Sequence, residues 1–346
     1  MPSSELRAFV VRVIVVLALV ACAWMLWTLS DLLLMVFGAI VVAVLLRAVS
    51  SWLTRRTRLS DGWALALVVI VLTAGFSALL WLFGSQLASE VGALQRTLPQ
   101  AWTRVHDWLA AGPLGPAVEE LTRQAPARVS NLAPRAGAFA LSITGGVANL
   151  FLVLVGAVYL AAQPHLYRRG ALLLLPAHVR ATTDDALQAS GTALRLWLRG
   201  QLIAMVVVGA LTGLGLWALG IPGALALGIV AGLLDFVPIV GPILAAIPAI
   251  LLGFTVSPQM ALATAALFVV VQQIEGNLLL PLIQQRTVDL PPVLLLFSLF
   301  GIGMLLGPPG VLLAAPLTVV GYVLIKRLYV QEALGTPTSI PRQKAQ

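Results

Sequence analysis

The chain has 346 residues, of which 60% are hydrophobic and only 10% are charged. Soluble domains carry about 25% charged residues, so this composition excludes an ordinary globular protein and indicates a polytopic membrane protein. The net charge of +8 fits basic residues gathered in cytoplasmic loops. No basic run interleaved with aromatic residues indicates a nucleic-acid surface. The single cysteine, Cys22, excludes an intrachain disulfide.

The N-terminal third predicts three membrane spans. The apolar run from Phe9 to Leu29 is long enough for the first. Ser30-Asp31 then predicts a polar turn, and Leu32 to Leu46 a shorter returning segment, so that the two form a hairpin. Arg47 at its end could reach the headgroups. The third span is expected from Gly62 to about Phe83.

The next segment, Ser85 to Pro134, carries two apolar stripes at helical spacing, separated by a Gly-Pro-rich break at Gly112 to Pro116. It predicts an antiparallel helical hairpin outside the bilayer. The stripes could pack on each other, or they could pair between subunits, in which case we expect a homo-oligomer. Ala138 to Ala162 predicts the fourth span, and Gln163 to Gly200 a basic cytoplasmic segment.

The C-terminal half predicts interrupted spans. Gln201 to Leu219 is the fifth span, with a small-residue surface at Gly209 and Gly213. Gly223 to Phe254 is too long for one straight span and is broken near Pro238, so it is either one discontinuous span or a re-entrant hairpin. Met260 to about Leu282 is the next crossing.

A final overlong segment, Pro292 to Ile325, is interrupted at Gly307 to Gly310. The distribution of lysine and arginine favours an even number of crossings, about eight, with both termini cytoplasmic. The expected fold class is therefore all-α, a polytopic helical membrane protein. The domain organisation is residues 1–84 for the first three spans, 85–136 for the extramembrane hairpin, 137–162 for the fourth span, 163–200 for the basic segment, 201–327 for a transport core and 328–346 for a polar tail.

Between Gln201 and Ile325 the only acidic or basic side chains are those of Asp235, Glu275, Arg286 and Asp289. A carboxylate near the bilayer centre costs roughly 2.5–3.5 kcal/mol, so such residues usually face a bundle interior or a wet cavity. Non-helical backbone at membrane depth likewise needs protein or water to satisfy it. Acids beside broken helices therefore indicate a hydrated binding site of the kind that transporters build from discontinuous helices.

Within that site, Asp235 is expected to bind a cation or proton, and Glu275 to act as a gate or proton carrier. Alternatively, Asp235 is a helix cap, Glu275 an interfacial residue and the breaks are simple kinks. The other candidates are the helix-breaking residues Pro238, Gly241 and Pro242, the neutral polar residues Gln201, Gln272, Gln273 and Asn277 for a small polar solute, the ion pair of Arg286 with Glu275 or Asp289, and the second break at Gly307 and Gly310.

Five blocks of sequence occur in a fixed order, namely LRGQL at Leu198 to Leu202, LLDFVPIVGP at Leu233 to Pro242, IPAILL at Ile247 to Leu252, QQIEGNLLLP at Gln272 to Pro281 and LAAPL at Leu313 to Leu317. Together they resemble the signature blocks of the AI-2E transporter family. The resemblance implies a polytopic bacterial membrane protein associated with export of autoinducer-2, or with sodium or lithium/proton antiport. Ile239 departs from it, because the family often carries an aromatic residue there.

These observations favour a secondary transporter in the bacterial cytoplasmic membrane, moving a small polar solute or exchanging Na⁺ or Li⁺ for protons. The sequence has no Walker P-loop, and no HExxH or GxSxG motif that would indicate an enzyme. We expect no cofactor and no metal site. The alternative is a scaffold that does not transport, in which the hairpin from Ser85 to Pro134 binds a partner.

Overall fold

The structure is a computed structural model that describes residues 2–75, 77, 149–279 and 290–336, with side chains described from residue 9 onward. Every regular element in this part of the chain is a helix, which confirms the all-α fold class. The helices are α1 Pro2–Thr28, α2 Ser30–Arg56, α3 Asp61–Gly75, α4 Asn149–Ala162, α5 Pro164–Leu173, α6 Arg180–Ala218, α7 Ala224–Leu234, α8 Val240–Val256, α9 Pro258–Ile274 and α10 Pro292–Leu324, with a 3₁₀ turn at Ala177–Val179 and π-helical turns at Glu275–Leu279 and Ile325–Ala333.

Several of these helices are long and apolar enough to cross a membrane, which makes the chain a multi-pass membrane protein. In the described ranges there are five such segments, and a sixth if α4 and α5, bent by 91° at their junction, are counted as one span. Three shorter apolar helices, α3, α7 and α8, accompany them. The count of eight crossings stays a prediction, because residues 78–148 and 280–289 lie outside the described ranges. The extramembrane hairpin lies there too.

The N-terminal boundary differs from the sequence prediction. Helical hydrogen bonds continue through Leu29, whose N–H donates to the Met25 carbonyl at 2.9 Å and whose carbonyl accepts from Leu33 at 2.9 Å. Ser30 and Asp31 therefore lie in the first turn of α2 and form no separate turn. α2 also continues beyond the predicted end at Leu46, as far as Arg56. Arg47 contacts α4, where its Nε donates to the Ala161 carbonyl at 2.9 Å.

α2, α3 and α4 pack around small residues. Ala39 and Ala43 of α2 meet Ala157 and Ala161 of α4, and all four are buried. A Cβ on Gly156 would lie 3.3 Å from the Cβ of Ala39, so the two helices approach closely at this point. Small residues at a helix contact allow the dispersion contacts that hold membrane helices together.

α6 is one continuous helix of 39 residues. It runs through the boundary predicted at Gln201, because nothing between the basic segment and the fifth span breaks a helix. α7 folds back against α6, and their backbones meet at glycines. A Cβ on Gly209 would lie 3.0 Å from the Gly228 carbonyl oxygen, and one on Gly213 would lie 3.5 Å from the Gly228 Cα. The predicted small-residue surface of α6 is thus confirmed.

α8 and α9 form a second hairpin, with Ser257 at the turn. The Ser257 hydroxyl oxygen accepts a hydrogen bond from the Met260 N–H at 3.2 Å and so caps α9, while Pro258 fills the first helical position. Gly253 allows α8 to approach the backbone of Ala261. α8 and α9 pack along each other and also contact α7 and α6.

α10 is kinked at Gly307, where φ is 66° and ψ is −156°. The interruption predicted at Gly307 to Gly310 is therefore confirmed. Beyond the kink, Val319 and Val323 are buried against Ala193 of α6. This half of α10 also contacts α2 through the cluster that contains Val41 and Leu313, so it closes the bundle around α6.

Candidate functional site

The candidate site is built around the break between α7 and α8, which spans residues 235 to 239. The last turn of α7 is tightened, because its final hydrogen bonds join residues only three apart. The N–H of Val237 donates to the Leu234 carbonyl at 3.0 Å. Pro238 follows, and Ile239 then takes a φ of 70°. Pro242 falls in the first turn of α8, where a missing N–H removes no helical bond. The predicted break is confirmed as two separate helices, each too short to span a bilayer alone.

Gly241 allows the start of α8 to pack directly against the end of α7. A Cβ at this position would overlap with the carbonyl oxygen of Leu234 and lie 3.0 Å from the amide nitrogen of Asp235. The start of α8 therefore lies directly against the end of α7. Only glycine can occupy such a position without moving the backbone.

Asp235 is placed at the point where α7 ends, and it is almost fully enclosed, with 1% of its surface exposed. Its N–H donates to Ala231, and its carbonyl accepts a hydrogen bond of 2.7 Å from the side-chain amide of Gln201. Both carboxylate oxygens are buried and have no hydrogen-bond donor among the described residues. Its side chain therefore does not cap a helix, and it is free to bind a small cation or a proton.

Aromatic packing anchors the break in the bundle. The rings of Phe236 and Trp197 of α6 meet edge to face, with centroids 6.0 Å apart. Phe236 also packs in the cluster formed with Val41 of α2 and Leu313 of α10. Leu313 lies three residues beyond Gly310, so the second half of α10 lies beside the first break. This aromatic pair is not among the residues predicted from the sequence, although Trp197 and Phe236 stand inside or beside the blocks that carry the family resemblance.

Glu275 begins the π-helical turn that follows α9, and it is half-buried. Gln272 donates a hydrogen bond of 2.7 Å to its Oε2 atom. The turn contacts α6, the helix whose Gln201 holds the Asp235 carbonyl. Asp235 and Gln201 are thus in direct contact, and Glu275 lies on a turn that packs against the same helix.

Of the remaining predicted residues, some lie in the described part of the chain and two do not. Gln273 and Asn277 are exposed on the same turn as Glu275 or beside it, and Gly307 and Gly310 lie at the kink of α10. Arg286 and Asp289 lie outside the described residues, so their ion pair stays a prediction. An apolar cavity of about 590 Å³ between α6 and α7 reaches Gly232 and Leu233. Asp235 follows two residues later and is itself enclosed.

The chain, with its two helix breaks at residues 235–239 and at Gly307, matches a known family along most of its length. The model of the AI-2E family transporter covers residues 13–329. The chain belongs to the AI-2E transporter family. The residues of the site, from Gln201 to Glu275, all lie within the matched range.

Three relatives show how far the AI-2E likeness extends. "Putative transport protein YueF" of Bacillus subtilis (strain 168) is 32% identical over 192 residues, 54% of this chain and 51% of that protein. "Putative transport protein MT0215" of Mycobacterium tuberculosis is 26% identical over 311 residues, 88% and 84% of the two chains. "AI-2 transport protein TqsA" of Escherichia coli (strain K12) is 35% identical over 125 residues, 34% and 36% of the two chains. The matched part of this AI-2E chain therefore spans about half the length of YueF and about a third of that of TqsA.

Proposed function

We propose that the protein is a gradient-driven transporter of the bacterial cytoplasmic membrane, with both termini in the cytoplasm. It exports a small polar solute, such as an autoinducer-2-like signal, or exchanges Na⁺ or Li⁺ for protons. The observation that carries the proposal is the enclosed Asp235 carboxylate, which has no hydrogen-bond donor among the described residues. Membership of a transporter family and the printed name of the TqsA relative support it.

The physical argument starts from the cost of an unpaired buried charge. A carboxylate without partners in an apolar bundle is strongly disfavoured, and binding a proton or a monovalent cation removes that cost. The same group releases its ion once the break opens to water. Asp235 lies at a helix break, where unwound carbonyls can complete an ion's coordination. An ion-dependent change in the break between α7 and α8 is therefore the proposed coupling step.

Gln201 connects this step to α6. Its side-chain amide donates to the main-chain carbonyl of Asp235, so a movement of the break also moves α6, a helix of 39 residues. Glu275 adds a second carboxylate on the turn that packs against α6, where it acts as the gate or proton carrier. Gln272, Gln273 and Asn277 then offer neutral polar groups to a solute.

The test is a flux assay with purified protein in liposomes under an imposed proton gradient. Na⁺, Li⁺ and a panel of small hydroxylated solutes are offered in turn, and uptake or release is followed with and without an ionophore that collapses the gradient. We expect flux of at least one of these substrates, and we expect it to stop when the gradient is collapsed. Protein-free liposomes serve as the control.

Liposomes that carry folded protein and show no flux of any offered ion or solute would contradict the proposal. Flux that persists after collapse of both the ion and solute gradients would contradict gradient coupling. Flux of AI-2-like solutes, without flux of Na⁺ or Li⁺, would favour solute export over cation exchange.

A further inference from the structure

A separate cavity of about 600 Å³ lies where α2, the end of α4, α5 and α6 meet. It does not include any residue of the site around Asp235. One part of its lining is apolar and another part is basic. The apolar part includes Ile40, Ala43, Val44 and Leu160, and the basic part is formed by Arg47, Arg55, Arg168 and Arg195.

The lining residues that belong to α2 show how the apolar and basic parts of the cavity are arranged. Ile40, Val44, Arg47, Ser51 and Arg55 recur at intervals of three or four residues, so they share one helix face. With a rise of 1.5 Å per residue, Ile40 and Arg55 lie about 22 Å apart along the axis. The cavity is therefore apolar at one end and positively charged toward the other.

The positive charges have little compensation in the described part of the chain. Arg168 pairs with Asp184, with 3.2 Å between Nε and Oδ1, and Arg47 donates through Nε to the Ala161 carbonyl. Arg55 and Arg195 make no hydrogen bond or ion pair with any described residue. Arg195 lies close enough to Arg199, Arg47 and Arg55 to be repelled by each of their charges. An anion between them would turn this repulsion into attraction.

α5 has the features of a helix that lies along a membrane surface. It is bent by 91° from α4, so it runs across the bundle rather than along it. Leu166, Leu173 and Leu174 are exposed by 60%, 59% and 87% on or just after this helix, which also carries Arg168 and Arg169. A short helix with exposed leucines and arginines is typical of one that lies in the interface.

We propose that this cavity binds an anionic phospholipid. The phosphate lies among Arg47, Arg55 and Arg195, and an acyl chain runs along Ile40 and Val44. Basic pockets between membrane helices are suited to acidic headgroups, and the apolar wall distinguishes a lipid from a free anion of the same phosphate chemistry. The lipid would bridge α2 to α6 and thereby connect the N-terminal helices to the transport core.

The experiment uses the full chain in detergent, titrated with phosphatidylglycerol, phosphatidylcholine or inorganic phosphate, with bound lipid counted by native mass spectrometry. We expect phosphatidylglycerol to bind more tightly than phosphatidylcholine. Arg55→Gln with Arg195→Gln is expected to weaken phosphatidylglycerol binding about 30-fold, since each arginine near an acidic lipid contributes about fivefold. Ile40→Trp, which fills the apolar part of the cavity, is expected to weaken it without any change of charge.

The matched control is Arg58→Gln with Arg169→Gln, which removes the same net charge from two exposed arginines outside the cavity. It should leave lipid binding unchanged. Equal weakening by the two double variants would overturn the proposal, because general surface charge would then explain binding. Equal affinity for phosphatidylcholine would also overturn it, and so would displacement of phosphatidylglycerol by millimolar inorganic phosphate.

Discussion

The side-chain amide of Gln201 donates a 2.7 Å hydrogen bond to the main-chain carbonyl of Asp235, across 34 residues of sequence. This bond ties the end of α7 to the middle of α6. It satisfies a carbonyl that α7 leaves free where it ends. The break therefore has a fixed position relative to α6, although its own backbone is irregular.

Gln201→Leu should loosen this connection. The buried carbonyl loses its donor, which typically costs about 1–3 kcal/mol, and the break loses its fixed position. We expect a lower unfolding temperature in detergent and a lower flux in liposomes. Gln188→Leu is the matched control, because Gln188 is exposed on the same helix and its side-chain amide donates to Asp184 of that helix. An unchanged flux in Gln201→Leu would show that the bond does not position the site.

The sequence predicted the break but not this bond. Pro238 and Pro242 each lack a donor, and Gly241 permits a sharp turn, so local chemistry was enough to place the interruption. The bond from Gln201 depends on how α6 and α7 pack, which no local pattern reports. The φ of 70° at Ile239 was also missed, because β-branched residues rarely adopt it and the surrounding structure must impose it.

The helix boundaries show the same division between local and non-local information. The kink at Gly307 was predicted, because glycine and two prolines stand together there. The continuation of α6 across Gln201 was not predicted, since a change from basic to apolar composition marks a change of environment and not the end of a helix. The hydrogen bond from Arg47 Nε to the Ala161 carbonyl was not predicted either, because its two partners lie 114 residues apart in the sequence.

Gly241→Ala should prevent the break from closing. The added Cβ would overlap with the Leu234 carbonyl, which belongs to the backbone and cannot rotate away. We expect poor expression, or a folded protein with strongly reduced flux and a lower unfolding temperature. Gly321→Ala in α10 is the control, since a Cβ there meets nothing within 4 Å. If Gly241→Ala transports as well as the control variant, the close approach at the break is not required.

Gly228→Ala should separate α6 from α7. Its Cβ would lie 2.5 Å from the Gly213 Cα and 2.8 Å from the Gly209 carbonyl oxygen, so the helices must move apart. Overpacking of this kind costs about 1–3 kcal/mol, and we expect a lower unfolding temperature measured by fluorescence in detergent. Gly191→Ala on α6 has open space and should be neutral or stabilising. The same decrease in both variants would contradict the close glycine contact.

Glu275→Gln should stop transport while leaving the fold intact. The amide cannot release a proton or carry a negative charge, yet it keeps the size of the side chain and can still accept a hydrogen bond from Gln272. Flux in liposomes and unfolding temperature are measured together. Glu332→Gln is the control, because Glu332 is an exposed acid that contacts Thr182 near the end of the described chain. Normal flux in Glu275→Gln would leave Glu275 as a structural residue.

The most direct test of the account is the flux of Asp235→Asn in liposomes, compared with Asp31→Asn, which changes an exposed acid at the start of α2. Asparagine keeps the shape of the side chain and removes the buried charge, so the unfolding temperature should not fall. We expect Asp235→Asn to be folded and without transport, and Asp31→Asn to transport normally. Near-normal flux in Asp235→Asn would contradict the claim that this carboxylate carries the coupling ion.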